Sequence, residues 1–293
     1  MKKRLIIILF LIISKALVAI ANEEVVKKSS QWENYFTPSV GIELIKFRDL
    51  ATSPLFYSGA GINGNISWLW IHPKNETYTE LSITSANTAA YMPLSNILQG
   101  YSGSTFMSGS IYLHTLFTVP FNYDDKLTIK AGGAITNTWN IRSNPSLFNN
   151  GFGMESFANL SLSTKGIYDV SRKNIVIKDY YFFTRTLFPA KRQIGFQLNI
   201  GLLNLNYRPG YAYNADIALD GTNTNPLAFL LDGHKWTING YRLGTRLYWE
   251  QFTPNGNGHR WSYIWDIAQA PGRFEPFEMA THKIQYTLMF RNK

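Results

Sequence analysis

Across 293 residues the chain contains no cysteine, which excludes disulfides and attachment of a lipid through a thiol. Only 16% of residues are charged, against about 25% in a typical soluble domain, yet aromatics reach 15%, with 8 Trp, 17 Tyr and 19 Phe. The formal charge of +9 is scattered along the chain, which excludes the basic face that a nucleic-acid-binding domain presents.

Residues 1–21 begin with Lys2, Lys3 and Arg4, continue through the apolar run Leu5–Ile13 and end in the small-residue site Ala19-Ile20-Ala21. That order predicts an export signal cleaved before Asn22. A membrane-spanning helix needs about 20 apolar residues, and Lys15 ends this run too early. Loss of Lys2, Lys3, Arg4 and Lys15 lowers the formal charge from +9 to +5. The pairs Lys27-Lys28, Arg172-Lys173 and Lys191-Arg192 lie in a polar stretch or beside turns and read as solvated. Residues 22–36 form a polar periplasmic lead, and 37–293 read as one domain without repeats.

From residue 38 onward the chain alternates apolar and polar residues with a period of two, the mark of strands with two unlike faces. Val40, Ile42 and Leu44 oppose Gly41 and Glu43; Ile62, Ile66, Trp68 and Trp70 oppose Asn63, Asn65 and Ser67, ahead of a turn at His72–Asn75. Leu81 and Ile83 alternate with Glu80, Ser82 and Thr84, and a long loop is expected over 87–104. Ile111, Leu113 and Phe117 then oppose Ser110, Tyr112 and His114. After a turn at 120–125, Leu127, Ile129, Ile135 and Trp139 oppose Lys126, Lys130, Thr136 and Thr138.

Beyond a loop at 141–152, Met154, Ala158, Leu160 and Leu162 alternate with Glu155, Asn159, Ser161 and Ser163. Short strands are expected around 167–171 and 175–187, followed by Ile194, Phe196, Leu198, Ile200 and Leu202 against Gln197 and Asn199. A loop covers 208–233. Residues 236–251 set Tyr241, Leu243, Leu247 and Trp249 against Arg242, Arg246 and Glu250. The turn Pro254–Gly258 is a strong hairpin signal. Trp261, Tyr263, Trp265 and Ile267 then alternate with Arg260, Ser262 and Asp266, and the final strand sets Ile284, Tyr286, Leu288 and Phe290 against Lys283, Gln285 and Thr287.

That closing strand resembles the last strand of bacterial outer-membrane β-barrels, whose alternation ending in an aromatic is read by the barrel-insertion machinery; here Arg291, Asn292 and Lys293 follow Phe290. Together with Asn204–Tyr211, it makes the chain similar to uncharacterised barrels of Bacteroidota. The expected fold class is all-β, a single transmembrane antiparallel barrel in the Gram-negative outer membrane. Barrels combine lipid-facing apolar residues, polar inward residues and aromatic rings at both interfaces. With both termini periplasmic, the turns at 73–76, 120–125, 189–192 and 254–258 fall on the periplasmic side, and 153–187 must then hold three strands, giving about 12, with 10 or 14 as alternatives.

The expected lumen carries Glu43, Glu80, Glu155, Glu250 and Asp266 with Lys126, Lys130, Arg242, Arg246, Arg260, Lys283 and His114, a near-balanced set suited to a structural network. Trp68, Trp70, Trp139, Trp249, Trp261 and Trp265 are candidates for the aromatic girdle. Loops 87–104, 141–152 and 208–233 hold apolar residues expected to fold over the mouth, among them Tyr91, Tyr101 and Tyr211, and Leu227, Phe229, Leu230 and Leu231 are the sharpest contact candidates.

Two functional readings follow. One is a narrow passive channel for small solutes, because 12 strands lie between the filled 8-stranded barrel and the open pore of 16 to 18. The other is a structural or surface-interaction barrel with a closed lumen and a partner at its loops. A lipid hydrolase is a third reading: outer-membrane phospholipases and lipid A deacylases use His-x-Ser, and none of His72, His114, His234, His259 and His282 is followed by serine at that spacing. No catalytic set, cofactor or metal site is expected, the acids being scattered singly and no His pair having ligand spacing. The partners expected are outer-membrane lipids and lipopolysaccharide, the insertion machinery and a surface or membrane protein, with no nucleic acid.

Overall fold

The computed structural model describes residues 32–93, 99–120, 124–209, 234–271 and 276–292. The compact unit that begins at Asn34 is built from antiparallel strands, with no helix beyond a 3-10 turn at Pro145–Asn150 among the described residues. In chain order the strands are β1 (Glu33–Phe36), β2 (Ser39–Asp49), β3 (Ser53–Ile71), β4 (Asn75–Pro93), β5 (Gln99–Thr118), β6 (Leu127–Ser143) and β7 (Phe152–Asp169). They continue as β8 (Val176–Tyr180), β9 (Phe183–Leu187), β10 (Arg192–Pro209), β11 (His234–Ile238), β12 (Tyr241–Phe252), β13 (Gly258–Ala270) and β14 (Phe277–Asn292).

Twelve of these strands form one sheet, and β14 pairs with β2 (Tyr286 opposite Val40, Ile284 opposite Ile42), which closes it into a barrel. Closure pairs the two strands that would otherwise be the free edges of the sheet, so their backbone groups are satisfied without water, the condition for crossing lipid. Two members of the sheet continue others along the same line. Pro38, which has no N–H to give the ladder, separates β1 from β2, and both pair with β14. Asn239 and Gly240, with φ of 114° and 88°, separate β11 from β12, and both pair with β10. The wall is therefore ten strands around, the smallest of the expected counts.

The difference from three strands in 153–187 has a clear origin. β7 runs unbroken to Asp169, while β8 and β9 pair only with each other in a separate two-stranded sheet. Other expectations shift too. Glu33–Phe36, placed in the polar lead, is a wall strand. The loop expected over 87–104 is mostly wall, since β4 and β5 pair out to Pro93 opposite Gln99; Ile141–Ser143 likewise belongs to β6. Tyr91 and Tyr101 do not fold over the mouth; they are exposed cross-strand partners with ring centroids 5.6 Å apart. The signal segment lies outside the described residues.

Asn292 at the close of β14 and the strand ends at Ile71, Thr118, Asp169 and Phe252 share one end of the barrel, the terminus end; the other is the loop end. The outer face is apolar, with Val40, Ile42, Ile62, Ile83, Leu202 and Ile284 each more than half exposed. The hydrophobic core is inside the barrel and comes in two layers. Ile45, Phe47, Tyr57, Phe106, Phe157, Phe277 and Met279 fill the loop half, and Tyr35, Leu69, Tyr78, Phe252 and Met289 fill the terminus half.

Candidate functional site

Between and beside these layers the inward positions carry the charge. On the terminus side Glu76, at the start of β4, accepts from Lys130 Nζ at 2.9 Å and from Lys165 Nζ, and lies 3.3 Å from His114 Nε2. His114 Nδ1 is 3.1 Å from the Tyr112 hydroxyl, to which Gln197 donates at 2.8 Å. Glu80 takes Arg246 at 2.9 Å and the Tyr78 hydroxyl, and Glu250 takes Arg260 at 2.8 Å. The Tyr248 ring fills the space between Lys165 and Arg260, with the cations 5.2 and 4.7 Å from its centroid.

At mid-height Lys283 reaches Glu43 at 3.3 Å, and Thr84 donates to the same carboxylate at 2.7 Å. Arg242 pairs with Asp266 at 2.9 Å and donates to Thr138 and Asn159, each at 3.0 Å. These pairs border a cavity of about 110 Å³, also lined by Ser110, Tyr112 and Asn199. It has room for a few waters.

On the loop side Asp49 binds Arg142 at 2.5 Å and Arg208 at 2.7 Å, and Arg142 also binds Glu155 at 2.7 Å. Both guanidinium groups lie against the aromatic layer: Arg142 is 5.2 Å from the Phe47 ring and 5.3 Å from Phe277, and Arg208 is 5.3 Å from Phe277. Stacking of Phe157 on Phe277 at 5.2 Å and packing of Phe47 on Phe106 at 5.5 Å complete the plug.

Glu43, Glu80, His114, Lys130, Glu155, Arg242, Arg246, Glu250, Arg260, Asp266 and Lys283 thus meet inside the barrel. Lys126 is a correction: it is exposed in the turn before β6, where its backbone N–H donates to Asp124 at 2.9 Å. The sequence reading missed Asp49, Glu76, Arg142, Lys165 and Arg208. Four of these share the strand parity of residues it did place inward, Asp49 with Glu43, Glu76 with Glu80, Arg142 with Lys130 and Lys165 with Glu155. Carrying the alternation a few residues further would have found them. Arg208 could not be reached that way, because a bulge between Gly201 and Leu203 switches the faces of β10.

Trp68, Trp70, Trp249 and Trp261 sit on the outer wall near the terminus end, with Phe36 and Tyr286 against them at 5.8 Å (Trp68) and 4.9 Å (Trp261). Trp139 lies toward the loop end, and Trp265 sits midway along β13. A loop-end set that the sequence reading did not assemble consists of Phe56, Trp236 and Tyr241, with Tyr91 and Tyr101. Leu227, Phe229, Leu230 and Leu231, like Tyr211, lie outside the described residues.

No family model matches the chain, and no curated protein matches it. Among solved structures it is similar to Ail, the attachment invasion locus protein of Yersinia pestis, at 7% identity and a TM-score of 0.30, covering 88% of this chain and 99% of that one. It is also similar to the translocator domain of the autotransporter NalP from Neisseria meningitidis (9% identity, TM-score 0.31, 94% of each chain). A third is an outer-membrane channel from Pseudomonas putida F1 (9% identity, TM-score 0.33, 90% of this chain and 100% of that one). The barrel itself is established by the β14–β2 closure and by the faces of its strands.

Proposed function

We propose that the protein is an integral β-barrel of the Gram-negative outer membrane, with its termini on the periplasmic side and its lumen closed at rest. The observation that carries this reading is the pairing of the lumen charges with one another between and beside two apolar layers. Buried pairs of this kind contribute little net stability but fix which groups may face each other. Such a barrel works through its surfaces, as a scaffold in the membrane and a contact for other envelope components. Reconstituted into planar bilayers, the protein is expected to give no steady conductance under either polarity; a constant open level would overturn the closed lumen.

The passive channel is the second reading, favoured by the central cavity and its mixed charges. In this form a solute passes only when the Phe47–Phe277 layer or the Glu76 cluster moves aside. Voltage-dependent steps that increase on truncation of Phe47 and Phe277 to alanine would support it. Silence in both proteins would remove it.

A further inference from the structure

We propose that the β8–β9 hairpin is an interfacial anchor that seats its aromatic tip in an anionic phospholipid leaflet on the terminus side of the barrel. The inference rests on the membrane reading above and adds a lipid partner to it.

The hairpin extends the β7–β10 pair past the rim. Pairing runs from Gln193–Asp169 through an Arg172–Ala190 bridge and resumes at Val176–Leu187, one residue out of step. An extra residue on one strand bends a ladder, which lets the extension turn toward the bilayer. From Asp169 to Tyr181 the chain can reach about 40 Å at roughly 3.3 Å per residue. At the tip Tyr180, Tyr181, Phe182 and Phe183 are 48%, 97%, 90% and 59% exposed, and Ile175, Ile177 and Phe188 are exposed behind them. An isolated two-stranded hairpin is marginal in water, and seven bare apolar side chains make it more so.

Charge says what covers it. Residues 170–192 hold six bases (Arg172, Lys173, Lys178, Arg185, Lys191 and Arg192) and one acid, Asp179, an excess of +5. That equals the whole excess expected of the chain after loss of residues 1–21, so the positive excess that reads as scattered along the sequence is in fact gathered at this hairpin, and the rest of the mature protein is neutral overall. Lys178 and Arg185 are exposed and stand directly opposite each other across the ladder. Like charges in that position repel, and an anionic surface relieves the repulsion. Rings at the tip with bases along the arms match the two layers of an anionic membrane interface, acyl boundary and headgroups.

The cysteine-free chain allows a single-site probe. Tyr181→Cys, labelled with an environment-sensitive fluorophore and reconstituted in phosphatidylglycerol-containing vesicles, is expected to show blue-shifted emission quenched by spin-labelled lipids. Lys178→Gln with Arg185→Gln should lower the ratio of embedded to free tip roughly fivefold for each charge removed, and pure phosphatidylcholine should have the same direction of effect. Ile83→Cys, on the outer wall, serves as the control. Quenching at 83 with water-like emission at 181 overturns the anchor alone. Shielded emission at 181 that lipid quenchers do not reach assigns the tip to a protein partner or a second copy and also overturns it. Absence of quenching at both positions overturns the membrane reading itself.

Discussion

Glu76 holds Lys130 and Lys165 in a place that excludes water, so its loss would leave two buried cations without their carboxylate. Breaking such a cluster from one side costs about 3–5 kcal/mol. Glu76→Ala is expected to lower the urea midpoint of the detergent-refolded protein accordingly, whereas Glu278→Ala, which breaks only the half-exposed pair with Arg48, should cost about 1 kcal/mol or less. Equal midpoints for the two variants would argue against the filled lumen. Gly195 makes a related point about space. A Cβ there would meet the ring of Tyr248, its cross-strand neighbour, which lies between Lys165 and Arg260. Gly195→Val should cost about 1–3 kcal/mol through overpacking, and Tyr248→Ala in the same chain should return part of it, a coupling readable in a double-mutant cycle.

At the level of elements, the irregularities of β10 and of β11–β12 belong together. The bulge at Gly201–Leu203 and the left-handed residues Asn239 and Gly240 face one another, and the Asn204 and Asn206 side chains donate to the Gly240 and Asn239 carbonyls at 2.9 Å each. The result turns Asn204, Asn206 and Arg208 inward and delivers Arg208 to Asp49. Gly240→Val combines a φ that β-branched residues avoid with a clash against the Gln269 carbonyl. It should weaken the loop half in particular, seen as faster hydrogen exchange in β11 and the upper part of β10 with little change in β3–β6; uniform exchange would oppose this local assignment. The alternation of these strands was legible in sequence, but their ends were not. Toward the rim the outward side chains no longer need to be apolar, so the contrast between faces fades at Asn87, Ala89 and Thr164 while the backbone ladder continues.

For the whole molecule, the membrane reading makes a sharp demand on the outer wall. Ile83, 67% exposed in the middle of β4, should tolerate arginine easily if water were its solvent. In lipid the substitution Ile83→Arg should cost about 2–4 kcal/mol near the midplane, measured by reversible unfolding in phospholipid vesicles. A cost near zero would mean that something other than acyl chains lies against this face.

Outside the bulge in β10, the residues themselves determined which side chains turn outward and which inward, because a period of two depends only on the pleat of each strand. That was enough for the fold class, for most of the inward charges and for the wall tryptophans. Tertiary structure alone decided that the wall has ten strands, that β8 and β9 leave it, and which charges meet. Asp49 and Arg208 are 159 positions apart, and Glu76 and Lys165 are 89 apart. Such partners are chosen by the shear and closure of the ring, which set the height of every inward residue against those across the lumen, and no local pattern encodes that height.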